Sequence, residues 1–171
     1  MVLTKDEFLS ALRTEIRIVL HLASKADAAA LGFRPTPKQR STLEILQYLT
    51  ILGPIHIRGV VAPSFDMEGW RAAWRAGQAA AKVMNLEQAT AAIGALPALF
   101  AEVLGPCSDA DLRAPIEMFG HKATRGSMLV SLVLCHYTAY RMQLFMNLKG
   151  SGGEELGTMN LWAGMDGPSR P

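Results

Sequence analysis

Apolar residues recur at helical spacing in four long stretches of the chain, and the first of them covers residues 4–29. Thr4 and Glu7 stand at the spacing of a capping box, in which two side chains satisfy free backbone donors at a helix start. We therefore expect the first helix to begin at Thr4. Its apolar positions are Phe8, Leu12, Ile16, Val19, Leu20 and Ala23.

The second stretch follows a break at Pro35-Thr36-Pro37, which cannot continue a helix. Ser41 and Glu44 repeat the capping-box spacing and predict a second helix from that point. Gly53-Pro54 predicts a kink or a local break within it. Its apolar face carries Ile45, Tyr48, Leu49, Leu52 and Ile55.

The remaining pattern predicts a short amphipathic helix and two more long ones. The short helix covers 66–84 and is expected to lie across the others. The third long helix covers 85–104, and Asn85 with Gln88 gives it a capped start. Residues 108–112 read as a polar turn, followed by an irregular stretch through Gly120. The last helix is expected from Thr124 to Lys149. Its predicted core face is Leu129, Leu132, Val133, His136, Tyr140 and Leu144.

Four long helices in 171 residues predict one all-α domain, a four-helix bundle with a short extra helix. The bundle is assigned to 1–150. Residues 151–171 form a Gly- and Pro-rich tail without periodicity, expected either to pack on the bundle through Leu161-Trp162 or to be partly mobile. Helix one is apolar over more than one face, with Ile18 and Leu22 among its residues, which predicts a homodimer.

Composition narrows the partners and the location. The formal net charge is +2 with both signs interspersed, which argues against nucleic acid. No stretch reaches the roughly 18 uninterrupted apolar residues of a membrane span, and the charged start at Lys5-Asp6-Glu7 predicts a cytoplasmic protein. Cys107 and Cys135 are expected to be reduced thiols. Glu15, between Arg13 and Arg17, is expected on a solvated ionic face.

A polar row on the last helix is the main candidate for chemistry. His136, Tyr140, Gln143 and Asn147 follow at spacings of four, three and four, so they share one helix face. A neighbouring candidate, Arg141, is suited to anchoring a carboxylate or a helix end.

The chain resembles the DinB family, also called the DinB/YfiT-like bundle family, over almost its whole length. Three pieces carry the resemblance. They are Pro35-Thr36-Pro37-Lys38 leading into the segment 41–49, the turn 104–112 with Ser108-Asp109-Ala110-Asp111-Leu112, and the segment 136–143. The resemblance implies a DinB/YfiT-like four-helix bundle, commonly a homodimer. It also implies a divalent metal held by one histidine of the second helix and two of the last.

The metal-ligand positions of the family fall on Tyr48, His136 and Tyr140, so one of three histidines remains. A phenol ligates only after losing a proton whose ordinary pKa is about 10. His56, two turns beyond Tyr48, is a second candidate ligand beside His136 for Zn, Ni, Mn or Fe, provided that helix two bends inward. The other interpretation is that His136, Tyr48 and Tyr140 form a hydrogen-bonded cluster in the space of the metal.

Two classes of function follow from these residues. In the first, the protein is a dimeric small-ligand-binding or non-catalytic DinB-like bundle with a degenerate metal site and a ligand pocket at Tyr48, His136, Tyr140 and Gln143. In the second, it is an enzyme. It is either metal-assisted around His136 and His56, in which case the family resemblance implies a thiol-dependent transferase or isomerase, or metal-free, with His136 as general base and Tyr140 as donor toward a small substrate. We favour the first.

Overall fold

The computed structural model describes residues 3–168 and contains, within that range, eight α-helices, two π-helical segments and one hairpin. The parts of the predicted bundle and tail at 1–2 and 169–171 lie outside the described residues. The helices are α1 Lys5–Ala23, α2 Ala28–Gly32, α3 Thr42–Val61, α4 Met67–Lys82, α5 Leu86–Leu104, α6 Asp109–Arg113, α7 Arg125–Leu129 and α8 Cys135–Gly150. The strands are β1 Pro115–Met118 and β2 His121–Thr124, and the π segments are Val130–Leu134 and Met159–Ala163.

Capping boxes start the first three long helices, as the sequence predicted. In each pair the first side chain accepts from a backbone N–H and the second reaches back to the cap N–H. These contacts satisfy donors that the first helical turn leaves free. The pairs are Thr4 with Glu7, Ser41 with Glu44, and Asn85 with Gln88.

The four long helices form a bundle, with α7, a π segment and α8 running on as the fourth. Helices α1 and α3 each pack against both α5 and α8, so α1 and α3 occupy opposite corners. Helix α4 is the predicted short extra helix, but it packs mainly against α3, whereas it was expected to lie across the others. The all-α bundle prediction is confirmed. Within residues 3–168, no helix combines the length and the apolar character that crossing a membrane requires.

Helix α3 continues through Gly53-Pro54 without the break that the sequence left open. Gly53 lies where α3 closely approaches its neighbouring helices. A Cβ at this position would stand 2.5 Å from Cζ of Phe100 and 2.7 Å from Oη of Tyr137. The Tyr137 hydroxyl donates to the carbonyl of Leu49 at 2.9 Å. Close helix approach at a glycine thus fixes how α3, α5 and α8 fit together.

The fourth helix begins where it was predicted but differs from the prediction in its regularity and in its core face. Thr124 is the cap, and the helix widens into the π segment before α8. Tyr137 is fully buried, whereas His136 and Tyr140, predicted for the core, are only partly buried. The prediction assumed a regular helical period along the whole helix, and the π segment interrupts that period.

Residues 108–112 were predicted to be a polar turn and the following stretch through Gly120 to be irregular, but the structure has a short helix and a hairpin there. Ser108 and Asp111 form a fourth capping box and start α6. Strands β1 and β2 then pair antiparallel, with Ile116 opposite Ala123. The turn uses Phe119 and Gly120, both at positive φ. A hairpin of four-residue strands has too few alternating positions for a period-two pattern to stand out.

The tail lies against α1 and covers its second apolar face. Ile18 is fully buried, and Gly164, at φ 58°, passes so close that a Cβ would stand 3.1 Å from the Ile18 Cα. Arg17 donates to the carbonyl of Ala163 at 2.6 Å, and Lys25 pairs with Asp166 at 2.7 Å. The chain itself therefore accounts for the two-sided apolar pattern of helix one, which was the residue-level basis for predicting a dimer.

Glu15 does not lie on a solvated ionic face, so that expectation was wrong. It forms an ion pair of 3.2 Å with Arg141 of α8, and the exposed fractions of the two side chains are 13% and 4%. The Arg141 guanidinium also lies 4.9 Å from the ring centroid of Trp162. Burial raises the pKa of Glu15, although the charge of Arg141 opposes that rise. The pair joins α1, α8 and the tail.

Candidate functional site

His56 and His136, the two predicted metal ligands, meet between α3 and α8. Their ring centroids are 6.1 Å apart and the ring planes are nearly parallel, at 17°. His56 is buried at 6% exposure, and His136 is partly exposed. His136 is the second residue of α8, directly after the π segment. This geometry brings together two imidazoles that are 80 residues apart in the chain.

Both imidazoles are oriented by backbone carbonyls. Nδ1 of His56 lies 2.8 Å from the carbonyl oxygen of Leu52, and Nδ1 of His136 lies 3.2 Å from that of Ser131. Because a carbonyl only accepts, each Nδ1 carries a proton and donates it, so in the neutral form of either ring Nε2 has the lone pair. Burial lowers the pKa of His56, the Leu52 carbonyl opposes that shift, and His136 lowers it further.

Tyr48 and Tyr140, the tyrosines at the predicted metal-ligand positions, are in contact with each other and with an arginine. The rings of Tyr48 and Tyr140 are 4.8 Å apart. The guanidinium of Arg40 lies 4.0 Å from the Tyr48 ring centroid and donates to the Tyr140 hydroxyl at 2.9 Å. Burial raises the pKa of Tyr48 to about 12, and the neighbouring Tyr140 adds to the rise. The Tyr48 phenol therefore stays protonated at neutral pH.

Three further aromatic residues join the histidines and tyrosines into one surface. Trp70 and Trp74 of α4 stack on each other at 5.1 Å. Trp74 meets both His56 and Tyr48, and Trp70 meets Phe119 of the hairpin at 5.0 Å. We call the partly exposed members of this cluster the aromatic surface. They are Tyr48, Trp70, Trp74, Phe119, His136 and Tyr140.

The predicted polar row divides between two environments. His136 and Tyr140 belong to the aromatic surface. Asn147 is fully buried, and its Nδ2 donates to the backbone carbonyl of Arg40 at 3.4 Å. Gln143 is partly buried, and within residues 3–168 its side chain forms no hydrogen bond. Tyr48, His136 and Tyr140 therefore lie in one cluster, whereas no such contact ties Gln143 to it.

Sequence reasoning did not assign Arg40, Trp70, Trp74 and Phe119 to the site. The four-residue spacing of the tryptophans was visible, but it indicated only a shared helix face. Arg40 lies in the loop between Pro35-Thr36-Pro37 and the helix cap Ser41. This loop has no periodicity from which a contact could be predicted. Phe119 depends on the hairpin that the sequence did not predict.

The donor set does not fit the metal that the DinB resemblance implies. Among residues 3–168, no group of three or more His, Cys, Asp or Glu side chains is arranged to hold a metal ion. Zinc sites use at least three protein ligands, and this cluster offers two imidazoles. The remaining positions hold phenols, and the Arg40 guanidinium brings a positive charge to them. The described residues of this cluster therefore lack the ligand set that such a metal requires.

Comparisons with known proteins identify the fold. No family model matches the sequence, and no curated protein matches it either. A DinB-like protein (YjoA) from Bacillus subtilis superposes with a TM-score of 0.66 at 15% identity, covering 88% of this chain and 94% of that one. A DinB-like protein from Bacillus cereus gives a TM-score of 0.68 at 15% identity, with coverages of 89% and 95%. The chain therefore has the fold of the DinB-like proteins.

Proposed function

We propose that this chain is a DinB-like protein that binds a small planar organic anion at the aromatic surface, without a resident metal. The aromatic rings offer faces and edges on which a planar ligand stacks. The two imidazoles offer unprotonated Nε2 atoms that accept hydrogen bonds from the ligand. These groups are suited to binding a planar ligand, whereas they do not supply the ligands that a metal requires.

The observation that carries the proposal is Arg40. A guanidinium has five N–H donors in a fork that matches a carboxylate. One donor is used on the Tyr140 hydroxyl, and no carboxylate in residues 3–168 forms a salt bridge with Arg40. The stacked Tyr48 ring holds the fork beside the aromatic surface. A ligand with a planar ring and a carboxylate would satisfy both features at once.

Calorimetric titration with 1-naphthoate and 1-naphthamide tests this function. We expect the carboxylate to bind more tightly, by about tenfold, because a hydrogen bond to a charged group contributes about 1.5–3 kcal/mol. Arg40→Gln should remove the preference. Arg75→Gln, an exposed arginine of α4, is the matched control and should retain it. Equal affinity of the parent protein for acid and amide would overturn the proposal.

Metal content measured by plasma mass spectrometry tests the proposal that the protein has no resident metal. Parent protein and His136→Ala are compared after reconstitution with Zn, Ni, Mn and Fe. We expect no stoichiometric metal in either, because two imidazoles are too few ligands. One equivalent in the parent that is lost in His136→Ala would instead favour the metal-assisted, thiol-dependent transferase or isomerase.

A metal-free reaction on the bound ligand is a second candidate, favoured by the Nε2 lone pair on the partly exposed His136. An imidazole held through Nδ1 can accept a proton from a bound molecule. Ligands that bind are followed by NMR during long incubation with parent protein and with His136→Gln. Conversion by the parent alone would favour catalysis, and an unchanged ligand would favour binding only.

We also propose a cytoplasmic homodimer, with an apolar surface of α8 and the tail as its interface. Methionine, tryptophan and arginine are enriched at protein interfaces. Sedimentation velocity of the parent and of Met146→Lys tests it, and a monomer in both would contradict it. The exposed apolar residues of this surface are Met142, Met146, Met159, Trp162 and Met165.

A further inference from the structure

A separate cleft opens where α1, α6 and α7 meet, away from the aromatic surface. Its volume is about 660 Å³, within the range of small-molecule sites. We propose that this cleft binds an aliphatic chain that ends in a carboxylate, with Arg113 as the anchor of the acid. The proposal is independent of the ligand proposed for the aromatic surface, because the two sites share no lining residue.

The floor of the cleft is apolar and already in place. Phe8, Leu112 and Leu129 line it, and their exposed fractions are 3%, 5% and 1%. Leu3 and Val130 form its partly exposed sides. A preformed apolar floor favours binding because no side chain has to be ordered when a ligand enters. The lining offers no second charged group and only one aromatic ring, the buried ring of Phe8, which favours an aliphatic chain.

The polar groups around the cleft are mostly engaged in helix caps. The Thr4 and Thr124 hydroxyls accept from backbone N–H groups at the starts of α1 and α7. Glu7 and Asp111 close capping boxes, and Asp109 accepts from the backbone N–H of Lys5 at 2.7 Å. These side chains satisfy the ends of helices and are not spare partners for a ligand or for a nearby cation.

Arg113 and Ser127 are the lining residues whose polar side chains remain unengaged. Arg113 is exposed and, within residues 3–168, forms neither a salt bridge nor a side-chain hydrogen bond. The Ser127 hydroxyl likewise makes no hydrogen bond with a described residue. One cation and one hydroxyl beside an apolar cleft match the head group of a carboxylic acid, because a guanidinium binds a carboxylate through two parallel bonds.

Methyl NMR titration of the full chain with octanoate and with 1-octanol tests the proposal. We expect saturable shifts of the methyl groups of Leu112, Leu129 and Val130 with both compounds, and tighter binding of octanoate. Arg113→Gln should lower the affinity for octanoate by about two- to fivefold and leave that for octanol unchanged, since an exposed ion pair contributes up to about 1 kcal/mol.

Three further variants test whether the ligands bind in this cleft and not elsewhere on the protein. Val130→Phe narrows the cleft and should weaken both ligands, whereas Arg71→Gln, an exposed arginine of α4, should weaken neither. Arg40→Gln should not change octanoate binding, so failure here is distinguishable from failure at the aromatic surface. Shifts that do not saturate, shifts at other methyl groups, or equal octanoate affinity of the parent and Arg113→Gln would overturn the proposal.

Discussion

Burial changes the acid–base chemistry of His56, which its position in the sequence does not reveal. Its ring lies under Trp70, Trp74 and Phe119 and faces His136. Desolvation penalises the protonated imidazole, so the pKa of His56 lies below its ordinary value of 6.5. The buried ring is therefore a neutral acceptor in the folded protein near neutral pH.

This shift predicts a loss of stability in mild acid. In the unfolded chain His56 takes up a proton near pH 6.5, whereas in the folded chain it does so only at lower pH. The unfolded state then binds more protons, so the free energy of unfolding falls as pH decreases from about 6.5 through the folded pKa. Urea unfolding at several pH values gives the free energy of unfolding at each pH. This free energy should fall more steeply with decreasing pH for the parent than for His56→Gln. Parallel curves would contradict the shift.

Gly53 shows how one missing side chain sets a helix contact. We expect Gly53→Ala to lower the free energy of unfolding by about 1–3 kcal/mol, because its Cβ would overlap Phe100 and Tyr137. Gly94→Ala is the matched control in α5, where the nearest atom is 3.9 Å from the new Cβ. There the helix propensity of alanine should add up to about 1 kcal/mol. Denaturant unfolding of both variants measures the contrast, and equal effects would refute the packing argument.

At the scale of elements, buried charge joins α1 to α8. Glu15 and Arg141 pair with each other, yet Oε2 of Glu15 and Nε of Arg141 have no hydrogen-bond partner within residues 3–168. An incompletely satisfied buried pair costs desolvation energy and returns only part of it. The pair consequently contributes more to the register between the helices than to net stability.

A double-mutant cycle measures how much the interaction between Glu15 and Arg141 contributes to stability. Glu15→Leu or Arg141→Leu alone should cost about 3 kcal/mol in the free energy of unfolding, because each leaves one buried charge without its partner. The double variant should lie much closer to the parent protein, since no unpaired charge remains. Additive single effects, measured by urea unfolding, would mean that the two side chains do not interact.

At the scale of the whole molecule, the tail completes a face that the bundle leaves open. Leu161 is buried, and Ile18 is buried beside Gly164, so α1 has apolar partners on both sides. Arg17 and Lys25 hold the covering segment with polar contacts. The tail is thus attached to the bundle as far as Asp166.

Truncation tests this role of the tail. A chain ending at Gly157 should lose about 2 kcal/mol or more in its free energy of unfolding, because Ile18 would face water. A chain ending at Pro168 retains every described tail contact and is the control. Urea unfolding compares the three lengths, and equal stability of the shorter chain and the control would show that the tail does not stabilise α1.

Local patterns in the sequence determined the helices and the fold class. Capping boxes at Thr4, Ser41 and Asn85 depend on side chains three residues apart, and apolar periodicity depends on positions within one helix. Such contacts form between near neighbours in the chain, so they can be predicted without the fold. The four long helices already predicted a bundle, the DinB resemblance indicated its type, and structural similarity bears that resemblance out at the level of the fold.

Tertiary structure alone decided which distant side chains meet. Neither the approach of His56 to His136 nor the position of Arg40 over Tyr48 follows from spacing, because each pair is joined only by the packing of separate segments. The partner of Glu15 likewise depended on the rotation of α8, which the π segment changes. Periodicity specifies the faces of a helix relative to one another, whereas the contacts of those faces are set by the minimum in free energy of the whole packed chain.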